Sequence, residues 1–166
     1  TMSALTACSA DTKDAIKAAR IYATVAGDDE VVVIDDDTHA VLSHISVGQG
    51  PAIILATPDH TKLYTANWAD DTVSAIDVAT EVVTSIAVGS RPYVIAMAPD
   101  GEHLYAGLNA NAIAVISTAT DTIERMIPTS ELPASIIVSP DGQTLYVATL
   151  LPGGLSAISA ATGDEI

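Results

Sequence analysis

Residues 140–148 have the sequence PDGQTLYVA, a tight turn followed at once by a strand-forming run. Proline, aspartate and glycine favour a reverse turn, and the Leu-Tyr-Val run has the β-branched and aromatic content of a strand. Similar stretches occur earlier, with Pro99-Asp100-Gly101 before Leu104-Tyr105 and Pro58-Asp59-His60 before Leu63-Tyr64, at intervals of 41 residues. A fixed interval of this size is typical of a repeat architecture that copies one supersecondary unit.

Each period holds four short runs of β-forming residues separated by turns. In the second period these runs are 53–56, 63–66, 73–76 and 82–88. Four antiparallel strands in one period make a small sheet with two apolar faces, and such a sheet buries them only by stacking on its neighbours. The sequence therefore predicts an all-β fold, a β-propeller of four-stranded antiparallel blades.

The repeated pattern is Gly-x-x-Pro, then Pro-Asp-Gly-x-x-Leu-Tyr-Val-Ala, then Val-Ser-x-Ile-Asp-x-x-Thr. It is best kept at residues 89–100, 145–148 and 73–77. It resembles the YVTN-type propeller repeat of surface-layer and lactonase-like proteins, from about residue 20 to residue 166. Related propellers serve as surface-layer and adhesion modules, as redox-enzyme subunits and as an antibiotic lyase. The resemblance thus implies a fold and an exported protein, and it leaves the function open.

The domain prediction separates a short N-terminal segment from the repeats. Residues 1–20 are a cap, a latch strand or the remnant of an export tether, and 21–166 are the propeller. The predicted blades span about 21–50, 51–91, 92–132 and 133–166. With strands a to d counted from the ring axis outward, the first blade has no recognisable strand a. The core Ile of the last strand d is expected beyond Ile166, so the chain holds 3.5 to 4 blades.

Two arrangements agree with this count of blades. In one, Ser3–Ala7 supplies the missing outer strand and latches a small four-bladed ring. In the other, which we favour, a second copy or a different chain completes a larger ring, because open blade edges attract further strands.

The residues Leu5-Thr6-Ala7-Cys8 have the form of a bacterial lipobox, which predicts an extracellular or periplasmic protein that is lipid-anchored through Cys8. No basic n-region or full apolar h-region precedes them, so an ordinary cysteine in a cap segment is the alternative. Residues 11–20 are equally compatible with one short helix.

The composition excludes several classes of function. The chain has 166 residues, with 21 Asp and Glu against 6 Lys and Arg, for a formal charge of −15. That balance argues against nucleic-acid binding, which needs a basic surface. The apolar runs are far shorter than a membrane-spanning helix requires, and a single cysteine excludes an internal disulfide or a cysteine-rich zinc site.

Antiparallel connectivity places the d–a and b–c loops on one face of the disc and the a–b and c–d loops on the other. The first face carries the candidate ligand-binding residues, which are Gln49, Trp68, Asp70, Arg91, Tyr93, Asn109 and Glu131. We expect Arg91, Trp68 and Tyr93 to offer a guanidinium and aromatic contact to an anionic or carbonyl-bearing ligand. The alternative is structural: Trp68 packs over a neighbouring blade, and Arg91 pairs with a nearby carboxylate.

No cofactor is evident from the sequence. His39, His44, His60 and His103 do not converge, so no metal site is predicted. Clusters such as Asp28-Asp29-Glu30 and Asp70-Asp71 supply oxygen ligands suitable for calcium, but they match no known calcium loop. Turn aspartates that cap backbone amides are the simpler interpretation, as predicted for Asp35 and Asp77.

Two functions remain open. The first is an exported recognition or assembly module that binds a partner or ligand on the disc face. The second is an enzyme or enzyme subunit, lyase-like or redox-associated, whose site at the ring centre another chain completes. In either case the expected partners are the completing chain and a protein or small-molecule ligand.

Overall fold

The computed structural model describes residues 19–150 and 152–166, which form fourteen β-strands and no helix. The strands group into four sheets, which we number as blades 1 to 4 in chain order. Blade 1 contains β1 (Arg20–Val25), β2 (Glu30–Asp35) and β3 (Val41–Ser46). Blade 2 contains β4 (Pro51–Ala56), β5 (Lys62–Asn67), β6 (Thr72–Asp77) and β7 (Val83–Ala87). Blade 3 contains β8 (Pro92–Met97), β9 (His103–Leu108), β10 (Ala112–Ser117) and β11 (Thr122–Pro128). Blade 4 contains β12 (Pro133–Val138), β13 (Thr144–Thr149) and β14 (Gly154–Ser159).

Every strand pairs antiparallel with the next strand of its blade, so the order in each sheet is the order in the chain. Short turns enforce this order, because each contains a residue in the left-handed region. His39, Glu81 and Asp121 hold this role in three c–d turns, with φ of 58°, 60° and 55°. The predicted all-β architecture of antiparallel blades is confirmed, with three or four strands in each sheet. The segment predicted to lack the inner strand of blade 1 lies outside the described residues.

The apolar core lies between the blades rather than within a single sheet. In β5, Leu63 packs into the cluster shared with blade 1, while the adjacent Tyr64 packs into the cluster shared with blade 3. A third cluster joins Val115 and Tyr105 of blade 3 to Leu145 of blade 4. Because successive side chains of a strand point to opposite faces, both faces of an inner blade are buried.

The outer edge of blade 4 differs from the sequence-based prediction. Pairing resumes directly after its c–d turn, since Glu165 forms a bridge with Ile158 and Ile166 N donates to Ala157 O at 2.9 Å. The first residues of a fourth strand are therefore present.

Residues 1–18 lie outside the described residues. They include Cys8, the proposed latch strand and most of the segment considered as a short helix. None of the described segments forms a helix of the length and hydropathy needed to cross a membrane.

Candidate functional site

The loops fall on two faces, as the connectivity predicts. We call the face with the d–a and b–c loops the upper face and the opposite one the lower face. On the upper face, d–a loops bond directly to b–c turns: Gln49 N donates to Asp70 Oδ2 at 2.9 Å, and Asn109 N donates to Ser90 O at 2.9 Å. On the lower face, a–b turns bond to c–d turns, as in the 3.0 Å contact from Thr118 N to Glu102 O.

Trp68 lies over the loop that enters its own blade. Its backbone N donates to Gly50 O at 3.3 Å, and its indole Nε1 is 2.6 Å from where a Cβ on Gly50 would stand. Gly50 is required here because it has φ +67° and no room for a side chain. The indole is nevertheless 41% exposed, so packing uses one part of the ring and leaves the rest on the surface.

Asp70 and Gln49 serve this same loop junction. Besides the bond from Gln49 N, the Asp70 carboxylate accepts a hydrogen bond from Thr72 Oγ1 at 2.7 Å, and Gln49 O accepts one from Ala69 N at 3.1 Å. These contacts bring Gln49, Trp68 and Asp70 together at one loop junction, where the Asp70 carboxylate holds the loop in place.

Arg91 occupies the loop position that corresponds to Gly50 one repeat earlier. Its backbone N donates to Asp71 Oδ1 at 2.8 Å, and its O accepts from Asn109 N at 3.3 Å. It has φ 36°, a left-handed conformation that costs an L-residue other than glycine on the order of 1–2 kcal/mol. In the described part of the chain, no carboxylate lies within ion-pairing distance of its guanidinium. The structure thus does not show the pairing considered as the alternative for Arg91.

Tyr93 lies at a bulge that is common to the inner strands. The register of β4, β8 and β12 against its neighbour shifts just after the first proline in each case. The unpaired residues at these bulges are Ala52, Tyr93 and Ala134. A bulge re-aims a side chain, and Tyr93 is 41% exposed.

Glu131 joins the upper face to blade 4 rather than to Arg91. Its Oε2 accepts from Thr149 Oγ1 at 3.1 Å, and its backbone O accepts from Thr129 Oγ1 at 2.7 Å. Five of the predicted site residues are exposed on the upper face, namely Gln49, Trp68, Arg91, Tyr93 and Asn109. The carboxylates of Asp70 and Glu131 are half-buried and hold the loops in place.

The turn aspartates have the capping role that the sequence predicts. Asp35 Oδ1 accepts from Thr38 N at 2.7 Å, and Asp77 Oδ1 accepts from Thr80 N at 2.8 Å. The bond from Thr38 N lowers the pKa of Asp35, and bonds from the Thr80 hydroxyl and then from Thr80 N lower the pKa of Asp77, because they favour the charged form.

The histidines stay apart in the structure. His44 Nδ1 lies 2.8 Å from Glu30 Oε1, and His103 Nε2 lies 3.1 Å from Glu124 Oε2. Among residues 19–150 and 152–166, no three His, Cys, Asp or Glu side chains are grouped as metal ligands require.

Two cavities lie on the lower face at corresponding blade junctions. The one between blades 2 and 3 measures about 310 Å³, and its wall includes Lys62 and Thr118. The one between blades 3 and 4 measures about 510 Å³, and its wall includes His103, Tyr105 and Arg125. The prediction of a site on the upper face missed the larger cavity. The signal was present in the repeat, where Gly163 stands at the position of Asp121 and Arg125 at that of Thr84.

Comparison with solved structures places the fold. The chain aligns with Kuenenia stuttgartiensis hydrazine synthase at a TM-score of 0.83 and 29% identity, covering 89% of this chain and 44% of that one. It aligns with dihydro-heme d1 dehydrogenase NirN in complex with DHE at a TM-score of 0.75 and 16% identity, covering 89% of this chain and 34% of that one. Both are β-propeller proteins. The chain has the β-propeller fold.

The sequence identity is low, and the alignment covers only part of each matched chain. The likeness at 16% identity shows the fold alone, and the chain spans less than half the length of either structure. No protein-family model matches the chain, and no curated protein sequence matches it.

Proposed function

We propose that this chain is a recognition and assembly module of an exported, YVTN-type β-propeller, and that it binds a ligand or partner through the upper face. The observation that carries the proposal is Arg91. Arg91 has a left-handed backbone conformation at the position that Gly50 occupies one repeat earlier, and this conformation reduces stability. No carboxylate of the described residues forms an ion pair with its guanidinium. The exposed rings of Trp68 and Tyr93 on the same face suit a flat or carbonyl-bearing group.

The test uses the fluorescence of Trp68, which is the only tryptophan and therefore reports on the upper face. N-acetylglycinate is the probe, since it carries both a carboxylate and an amide carbonyl. We expect saturable quenching in the millimolar range for the wild-type chain, because a few surface contacts give an affinity of that order. Arg91→Gly should abolish saturation while keeping the chain folded. Equal affinity in Arg91→Gly and wild type would show that the upper face is not the site.

The assembly part of the proposal rests on the free face of blade 4. Tyr22, Tyr64 and Tyr105 are 0–3% exposed in blade junctions, whereas the corresponding Tyr146 is 44% exposed. Ile137 and Tyr146 are paired across the sheet, and with the nearby Leu155 they make an apolar face of the kind that the other blades bury.

Native mass measured by light scattering tests the assembly. We expect twice the 17.0 kDa of one chain for the isolated protein, as two copies join through blade faces. Leu155→Glu should return the mass to that of one chain, whereas Val82→Glu, a change of an exposed apolar residue at the outer edge of blade 2, should not. A single-chain mass for the wild type at all concentrations would contradict self-assembly.

The second candidate function is an enzyme or enzyme subunit whose site at the ring centre another chain completes. The similarity to hydrazine synthase at 29% identity favours it. The loop-holding bonds of Asp70 and Glu131 favour the binding module, because acids that already accept these hydrogen bonds make poor proton carriers. Calcium binding and lipid attachment at Cys8 stay predictions. Calcium is checked by titrating the ion during thermal unfolding, and attachment by intact-mass measurement of the exported protein.

A further inference from the structure

A carboxylate of blade 3 forms hydrogen bonds across the junction between blades 2 and 3. Tyr64 Oη donates to Asp121 Oδ1 at 2.5 Å, and Lys62 Nζ donates to Asp121 Oδ2 at 2.6 Å. Lys62 Nζ also donates to the backbone O of Thr118 at 2.7 Å. An acid of blade 3 is thus held by a hydroxyl and a cation of blade 2.

The junction between blades 3 and 4 repeats this arrangement without the acid. Tyr105 stands where Tyr64 does, and Arg125 Nη2 donates to Ala160 O, the carbonyl that corresponds to Thr118 O. The position of Asp121 is taken by Gly163, which has no side chain. His103 stands at the repeat position of Lys62, and Arg125 of β11 supplies the cation instead. The hydroxyl remains, and the carboxylate is missing.

Of the two polar groups left behind, one is a buried nitrogen without a partner and the other belongs to a tyrosine that lines the cavity. Tyr105 is 3% exposed, and no hydrogen bond joins its Oη to a described residue. Arg125 Nε is buried without a hydrogen-bond partner. An unpaired buried donor costs on the order of 1–3 kcal/mol, so a ligand that accepts from Arg125 recovers free energy of that order, and the Tyr105 hydroxyl offers it a second donor. Burial also raises the pKa of Tyr105, which keeps its hydroxyl protonated as a donor.

We propose that the cavity between blades 3 and 4 binds a small carboxylate, which accepts hydrogen bonds from Tyr105 and Arg125 as the Asp121 carboxylate does from Tyr64 and Lys62. The volume of about 510 Å³ is within the range of small-molecule sites. Asp100 lines the cavity, and its negative charge would oppose a bound carboxylate. Its counterpart Asp59 lines the preceding junction in the same way, and that junction still holds the Asp121 carboxylate.

Glu124 is a further acid close to the cavity, beside the lining residue His103. It lies 3.1 Å from His103 Nε2 and is 42% exposed, so its charge is partly screened by solvent. The site does not depend on the upper face, and failure at either site leaves the other proposal standing.

The test is NMR titration of the full, isotopically labelled chain with propionate at constant ionic strength, with propionamide as the neutral comparison. We expect saturable shifts of the Arg125 Nε–H resonance and of the backbone amides of Ala161 and Gly163. Tyr105→Phe should weaken propionate binding about tenfold, because one hydrogen bond to a charged group is lost. Tyr64→Phe is the matched control and should leave the affinity unchanged.

Gly163→Asp provides an internal ligand. Aspartate tolerates the left-handed region, as Asp121 does at φ 55°, although the new Cβ would stand 3.2 Å from Ile127 Cγ1. We expect this variant to lose propionate binding because its own carboxylate fills the site. Shifts that rise linearly without saturation, equal shifts with propionamide, or equal affinities of Tyr105→Phe and Tyr64→Phe would each overturn the proposal.

Discussion

At the scale of single residues, His60 shows how a turn can keep its shape with an unsuited side chain. Its φ is 57°, whereas the corresponding positions of the next two a–b turns hold Gly101 and Gly142 at 77° and 74°. Its ring Nδ1 is also buried without a hydrogen-bond partner. The turn survives because Asp59 bonds to Thr57 and Thr61 across it.

We predict that His60→Gly raises the free energy of unfolding by about 0.5–1 kcal/mol, since glycine removes the left-handed strain but adds some unfolded-state entropy. Urea unfolding at neutral pH measures the change. At the corresponding position of the next turn, Gly101→Ala should lower the free energy of unfolding, because its Cβ would stand 2.8 Å from Pro58 Cδ. A loss of stability in His60→Gly would mean that the imidazole makes a contact worth more than the strain.

The turn carboxylates lead to a prediction on pH. Hydrogen bonds from turn hydroxyls and amides lower the pKa of Asp35, Asp59, Asp77 and Asp141 below their ordinary value. A carboxyl group with a lowered folded-state pKa contributes stability above its unfolded pKa, and that contribution is lost as pH falls through the folded pKa. The free energy of unfolding should therefore decline below about pH 4.

Urea unfolding between neutral and strongly acidic pH checks this expectation. Asp77→Asn should lower stability at neutral pH and flatten the acid decline, because the wild-type carboxyl is one of the groups that protonate. An identical pH profile for Asp77→Asn and wild type would contradict the assignment of the turn bonds as its source.

At the scale of the elements, the repeat in the sequence is sufficient to predict the strands and their stacking. It does not predict how one blade junction differs from another. The 41-residue period, the turn residues and the Leu-Tyr pairs are sufficient to predict the blades, because alternation and turn chemistry are local properties. The left-handed φ of Arg91 and the donors left at Tyr105 depend on contacts across a blade junction, so they appear only in three dimensions.

The same local reasoning explains which relations among the predicted site residues could be inferred from the sequence. Connectivity alone placed Gln49, Trp68 and Asp70 on one face, and the structure brings them together. It did not indicate that Asp70 and Glu131 hold loops, since a hydrogen-bond partner one loop away leaves no mark in the spacing of residues.

The junction between blades 2 and 3 supports a prediction on stability. Asp121→Ala should reduce the free energy of unfolding by about 2 kcal/mol, because the buried Tyr64 loses its carboxylate acceptor and Lys62 keeps only Thr118 O. Glu124→Gln is the control: that acid is 42% exposed beside His103, and its loss should change stability by less than about 0.5 kcal/mol. Equal effects of the two substitutions would show that the buried acid is no more important than a surface one.

At the scale of the whole molecule, charge opposes the compact state. The formal charge is −15, and the described carboxylates lie largely in turns on the surface. Repulsion among exposed charges is screened over about 10 Å at moderate ionic strength.

We predict that added sodium chloride raises the melting temperature by roughly 2–5 °C at neutral pH, because it screens this self-repulsion. Differential scanning calorimetry at low and moderate salt measures the shift. Near the sequence pI of about 4.1 the net charge vanishes, so the salt effect should vanish with it. A salt effect of equal size at both pH values would point to a cause other than net charge.

The chain passes from one blade to the next at an equivalent residue, so a whole repeat can be removed without changing the strands of the others. Pro92 and Pro133 start the inner strands of successive blades, so excision of residues 93–133 would splice blade 2 to the present blade 4 at an equivalent bond. The shortened protein would keep every hairpin it retains. Its new seam, however, would place Lys62 and Tyr64 opposite Gly163 instead of Asp121. Loss of one repeat would thus remove the carboxylate from the junction that contains Lys62 and Tyr64. The order of the repeats, and not only their number, therefore decides at which junction the disc can bind an acid.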